Sequence, residues 1–243
     1  MTWIKGIIRS VRLCCLRLRC KLSKARYRAA DGECIIIAPH PDDEVLGCGG
    51  LIHRLCKQGR PPHVAILTGG GQSHSECCRL SESDIKAERR IMAFEILQNL
   101  GLPTDHLHLL DFPDGSISAQ HGEMQTLLNL VAEIQPDVVF IPHHGEGWPD
   151  HLVCRVLVEK MPALGAAAVY EYCVWFWYYN IWKLDWSRVS LLRMTKEEYI
   201  AKCSAVEEYT EKTAPCGKPW SGVLPTLLIW ACKWNKELYF RIR

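Results

Sequence analysis

From residue 34 onward, short apolar runs alternate with longer amphipathic stretches. "CIIIA" (34–38) is continuous rather than alternating, the pattern of a strand covered on both faces. "EVLGCGGLIHRLCKQG" (44–59) then predicts a helix that stops at Gly59. The alternation repeats. "HVAILTGG" (63–70) predicts a second buried strand, 83–101 an amphipathic helix closing on Gly101, and "LHLLDF" (107–112) a third strand. Residues 120–135 predict another helix, "DVVFIPHH" (137–144) a fourth strand, and "PDHLVCRVLVEKM" (149–161) the next helix. Strand–helix alternation of this kind builds a mostly parallel sheet flanked by helices, joined by right-handed crossovers. The last third is less regular. An aromatic segment, 166–186, opens with residues able to start a strand, and a helix is predicted from about 196 to 212.

The first thirty residues follow another rule. Ile4, Ile7, Ile8, Val11, Cys15, Leu18 and Leu22 recur at steps of three and four, so they share one helical face. Nine basic residues and no acidic one lie in the same stretch, and the first carboxylate is Asp31. The pattern predicts a basic amphipathic extension over 1–30, ahead of a single domain over 31–243. It either lies on an anionic membrane surface or packs on the domain with its basic face in water. Trp3 and Tyr27 are too few and too far apart to form a stacking platform, so nucleic acid is not expected as a partner.

Composition narrows the class. An apolar content of 48% supports a sizeable core. No run reaches the ~18 residues of a membrane span, since "GVLPTLLIWACKW" (222–234) is short and broken by Pro225. Arginines interrupt the only stretch that could serve as a secretory leader. The cysteines number thirteen, with no paired C-x-x-C spacing, and read as small buried hydrophobes in a reducing, cytoplasmic setting.

The chemistry-bearing residues fall after the strands. His40, Asp42, Asp43 and Glu44 follow the first, Thr68–Gly71 the second, Asp111 and Asp114 the third, and His143, His144, Glu146, Asp150 and His151 the fourth. In an open parallel sheet that edge is where ligands bind. His40 and Asp43, with His151 from the opposite loop, form a donor set suited to a catalytic zinc that keeps a position open for water. Asp42, between two ligands on a proline-pinned turn, is placed to take a proton from that water. Glu44 fits the positive end of the following helix.

"PHPDDEVLGCGG", followed about a hundred residues later by "PDH", resembles the PIG-L/LmbE-like zinc-dependent N-deacetylases, which remove acetyl groups from N-acetylglucosamine moieties. The resemblance covers 34 to about 160 well and continues weakly through "CSAVEEYTEK" and "ELYF". It implies a Rossmann-like α/β domain, with His40, Asp43 and His151 as zinc ligands, Asp42 as general base and Asp150 orienting its neighbours. It makes Asp114 a sugar contact and puts a substrate-binding arginine at Arg89 or Arg90. The family's histidine three residues before the last ligand, which polarises the acetyl carbonyl, is Trp148 here. His143 or His144 would then have to take its place at the substrate, unless zinc and backbone amides suffice. The implied substrate is an amino sugar, small or lipid-linked, in a glycolipid or cell-envelope precursor. The alternatives are a zinc amidohydrolase acting on a non-sugar N-acyl substrate and a non-catalytic sugar-binding relative.

Overall fold

The structure is a computed structural model that describes residues 2–27, 32–76, 79–179 and 184–243. Arg28, the Cys77–Cys78 pair and residues 180–183 of the aromatic segment lie outside the described residues. A single mixed α/β domain is built on one seven-stranded sheet of order β3-β2-β1-β4-β5-β7-β6. Its strands are β1 (Cys34–Ala38), β2 (His63–Ile66), β3 (Leu107–Leu109), β4 (Val138–Pro142), β5 (Ala168–Tyr172), β6 (Val189–Arg193) and β7 (Lys236–Arg241). β3, β2, β1, β4 and β5 run parallel, and β7 and β6 close one edge antiparallel. The order reverses between β1 and β4. Their crossovers leave in opposite directions there, opening a crevice beyond the strand ends.

The continuous apolar runs follow from burial on both faces. Ile36 and Ala38 of β1 enter one core cluster, and Ile35 and Ile37 enter the other. The first cluster is covered by α2 (Asp43–Lys57), α3 (Glu82–Asn99) and α6 (Lys196–Glu211), the second by α4 (Glu123–Ile134) and α5 (Pro149–Glu159). Local signals set the helix starts. Ser81 and Thr195 form reciprocal capping boxes with Asp84 and Glu198. Pro149 occupies the first turn of α5, where its missing N–H costs nothing.

The C-terminal elements differ from expectation. β6, β7 and the short α7 (Thr226–Cys232) were not predicted, because their apolar residues neither alternate cleanly nor repeat at helical spacing. β7 is fixed by tertiary contact instead. Its Glu237 lies under α2, where its carboxylate accepts the Gly50 and Leu51 amides and pairs with Lys202 at 2.6 Å. Six cysteines (Cys20, Cys34, Cys48, Cys154, Cys173 and Cys232) are buried among apolar side chains.

The N-terminal helix α1 (Thr2–Leu22) also differs. Leu13, Leu16 and Cys20 join the first core cluster beside Arg12, which is buried and donates to the carbonyls of Phe176 and Trp177. The arginine-bearing side of the helix faces the domain, and the predicted apolar stripe faces outward. Among the described residues no helix is long and apolar enough to cross a membrane.

The Lys202–Glu237 pair gives a stability test. Lys202→Met strands a buried carboxylate and should cost about 3 kcal/mol, with Lys202→Met/Glu237→Gln recovering a large part. Denaturant melts of the two variants measure it, and equal losses would contradict the pairing.

Candidate active site

The carboxyl ends of β1 and β4 open into a cleft of about 440 Å³. β1 delivers His40 on the loop that leads into α2, and α5 delivers His151 from its first turn. Asp43 stands between them. Its Oδ2 is 3.2 Å from His40 Nδ1 and 3.4 Å from His151 Nε2, and it accepts the His40 amide at 3.1 Å. Two imidazole nitrogens and a carboxylate oxygen thus converge from two crossovers of the sheet, as a borderline-soft divalent metal requires. Asp43 is 2% exposed and His151 also 2%.

Burial opposes a charged His40 ring. Its contacts with Asp114, Asp150 and Asp43 outweigh that penalty and raise its pKa well above the usual imidazole value. Burial likewise opposes the Asp43 carboxylate, but the flanking His151 and His40 hold its pKa down. Asp42 moves the other way. Burial and then the Asp43 charge raise its pKa, with Arg89 opposing.

The Asp42 backbone is unusual. Its φ is 139°, a region that L residues rarely adopt, so this turn holds strain. Three groups hold it. Arg89 donates to the Pro41 carbonyl at 2.7 Å and lies 3.3 Å from Asp42 Oδ2. The Asp42 amide donates to Glu44 Oε2 at 2.9 Å, and Glu44 Oε1 accepts the Tyr209 hydroxyl at 2.6 Å. Burial pushes the Glu44 pKa up to about 7. Arg89 also donates to the Gly70 carbonyl at 2.9 Å. A Cβ on Gly70 would lie 2.0 Å from Arg89 Nη1, which explains the glycine in "LTGGG".

Asp150 accepts the Gly115 and Ile117 amides at 2.7 and 3.1 Å and lies 3.3 Å from His40 Nε2. It therefore ties the 114–117 loop to the His40 ring. Asp114 meets the same nitrogen at 3.1 Å and accepts the Gln72 amide. Trp148 and Trp175 stand edge to face at the cleft wall, 5.5 Å apart.

The PIG-L model, described as GlcNAc-PI de-N-acetylase, matches residues 35–161, just over half the chain. The chain belongs to the PIG-L family. It is 27% identical over 156 residues to a probable N-acetyl-alpha-D-glucosaminyl L-malate deacetylase of Bacillus cereus, covering 56% of this chain and 67% of the relative. It is also 27% identical over 120 residues to the diacetylchitobiose deacetylase of Thermococcus kodakarensis, which covers 48% of this chain but only 44% of that relative. Among solved structures it is similar to the N,N'-diacetylchitobiose deacetylase of Pyrococcus horikoshii. The TM-score is 0.60 at 21% identity, covering 76% of this chain and 72% of that one. It is similar in fold to GalB, a 4-carboxy-2-hydroxymuconate hydratase of Pseudomonas putida, with a TM-score of 0.64 at 15% identity over 87% and 96% of the two chains. The fold alone therefore does not fix the reaction.

Against this PIG-L frame the predicted residues separate. His40, Asp42, Asp43, Arg89, Asp114, Asp150 and His151 all line the cleft. Arg90 does not; it faces Asp111 and the Leu110 carbonyl, so of the two arginines only Arg89 lines the cleft. His144 is a correction, because its Nδ1 lies 2.7 Å from Glu171, outside the cleft lining. His143 cannot substitute for the missing family histidine either. It is buried, its Nδ1 accepts the Gly145 amide, and burial lowers its pKa to about 3. A neutral ring with that tautomer carries its proton on Nε2, toward Glu171 3.7 Å away. His143, His144 and Glu171 thus form a second cluster outside the cleft lining, with donor atoms close enough to one another to hold a metal ion.

Several lining residues carried no sequence signal, among them Gln72, Ser221 and Leu224, whereas Trp175 comes from the aromatic segment 166–186. Glu146 was readable only as an acid near the site. It is fully buried and accepts the Val174 and Trp175 amides, fixing Trp175 at the wall.

The support beneath Asp42 is testable. Tyr209→Phe leaves a buried Glu44 oxygen without its donor and loosens the turn, so activity should fall about tenfold with metal content retained. Unchanged kinetics would remove Tyr209 from the site's architecture.

Proposed function

We propose that this chain hydrolyses the N-acetyl amide of an N-acetylglucosamine-type amino sugar at a metal centre held by His40, Asp43 and His151, with zinc as the ion. The observation that carries the reading is the convergence of those three donors at the switch point, with the Asp42 carboxylate in the same cleft. The donor chemistry fits the group, since both imidazole nitrogens face the one carboxylate oxygen. When bound, such an ion supplies Lewis acidity toward the acetyl carbonyl and toward water.

The protein's own groups do the rest. Asp42 accepts a proton from the water whose oxygen attacks the acetyl carbon. As the C–N bond breaks, the same carboxyl returns the proton to the leaving nitrogen, so acetate and a free amine depart. Arg89, anchored on two backbone carbonyls, holds Asp42 in its strained position. Asp150 keeps the His40 ring oriented, and Asp114 lies where a sugar hydroxyl can reach it. Trp148 and Trp175 offer flat apolar surface to the C–H face of a pyranose. With no cleft histidine in the place of Trp148, stabilisation of the developing oxyanion would fall to the Lewis acidity of an ion held by His40, Asp43 and His151.

The finer reading is a lipid-linked or cell-envelope sugar precursor, met at the cytoplasmic face through peripheral contact by residues 1–30. The two aromatic walls and the basic first helix support it.

Removal of the metal with a chelator should abolish hydrolysis of acetylated amino sugars, and Zn2+ should restore it. Asp42→Ala should lower kcat about 10²–10⁴-fold while leaving metal content intact, whereas Asp43→Ala should lose the metal. Full turnover by Asp42→Ala, or faster hydrolysis of N-acyl amino acids than of acetylated amino sugars, would overturn this reading.

Trp148 separates stacking from oxyanion chemistry. Trp148→Ala should raise KM about fivefold with kcat little changed, the effect of losing one aromatic contact. A fall in kcat with KM unmoved would place the indole in the chemical step instead.

A further inference from the structure

Ile4, Ile7, Ile8, Val11, Cys15, Leu18 and Leu22 form one stripe along α1. All are exposed, the large ones from 43% at Ile8 to 76% at Leu22. The opposite stripe holds the helix in place through its arginines. The Arg9 guanidinium lies 3.8 Å from the Tyr178 ring centre, Arg17 lies 3.9 Å from Trp230 and Arg19 4.0 Å from Trp186. Arg17 also donates to the Trp230 and Ala231 carbonyls. The apolar ridge is therefore not needed to seat the helix, and it faces outward from a rigid body.

The flanks of the ridge are basic. At 100° per residue Lys21 borders it on one side and Lys5 lies farther round on the other, beyond the Trp186-stacked Arg19, and Lys24 and Arg26 follow in the next segment, all exposed. We propose that this ridge docks the domain on an anionic membrane surface, with the isoleucines and leucines at the acyl boundary and the flanking cations among the headgroups. A second copy of the chain fits worse. Pairing two such ridges sets basic flank against basic flank, with no carboxylate in residues 1–30 to match them.

The same contacts carry the docking surface to the cleft. Arg9 and Arg12 grip residues 176–178, and Trp175, next in the chain, lines the cleft. Arg17 grips α7, and Leu224, just before α7, lines the cleft too. Docking on α1 thus couples the cleft wall to the bilayer. The bearing of this on a lipid-linked substrate rests on the deacetylase reading, while the docking itself does not.

The test is flotation of the full chain with phosphatidylcholine vesicles, with and without phosphatidylglycerol, at low and high salt. The wild type should float with the anionic vesicles alone and release as salt rises. Ile8→Glu/Val11→Glu should lower the bound fraction about tenfold. It should leave the thermal melt and turnover of a soluble acetylated amino sugar unchanged, because neither side chain touches core or cleft. Failure of the wild type to bind, equal binding by the variant, or a dimer in light scattering that the variant dissociates would each overturn the proposal. A chain that floats as expected yet hydrolyses no acetylated sugar supports docking and overturns the deacetylase reading alone.

Discussion

Everything at the working edge of the sheet depends on one oxygen, Asp43 Oδ2. It meets His40 on the loop after β1 and His151 on the helix after β4, so it joins two crossovers that leave the sheet in opposite directions. A carboxylate 2% exposed is costly unless paired, and two imidazoles and a backbone amide offset that cost. The same arrangement explains the direction of its pKa, which the neighbouring rings hold down against burial. Had the strand order not reversed here, no single side chain could span both donors.

Asp42 shows what that junction imposes on its neighbour. Asp43 enters α2 with its carboxylate turned back to the His40 amide, and Asp42, the residue before it, stands at a positive φ. Strain of this kind persists only where the surroundings over-determine it. Here Arg89 comes from α3, Tyr209 from α6 and Glu44 from α2 itself, so three helices meet beneath one turn. The helix-start role expected for Glu44 holds for its position but understates its work. A surface helix-start acid would not be fully buried between an amide and a phenol.

What the sequence disclosed follows from the range of each interaction. The first four strands and their helices were readable, because burial on two faces writes itself as unbroken apolar runs. His40, Asp43 and Asp150–His151 were readable because each pair sits on one short loop or helix turn. Ser221 and Leu224 were not, since they reach the cleft from segments placed only by packing. His144 misled through adjacency. It stands in the turn just after β4, where its ring stacks on His143 and meets Glu171 instead of the cleft. β7 was hidden because a buried Glu237 breaks the apolar pattern of the strand that it anchors.

The first helix makes the opposite point about periodicity. Its spacing announced an apolar face correctly, but spacing says nothing of which face a helix turns inward. Guanidinium groups stack well on indole and phenol rings and donate to carbonyls from the same position. The domain offers α1 four rings and four carbonyls. Arg12 accepts burial there, with desolvation lowering its pKa to about 10, still far above neutrality. It therefore stays charged at any physiological pH, and the contact holds without titration. Binding through the side that carries Arg12, Leu13, Leu16 and Cys20 leaves the isoleucine side outward, so cations and core packing together set the orientation of α1 and the hydrophobic ridge is the residue of that choice.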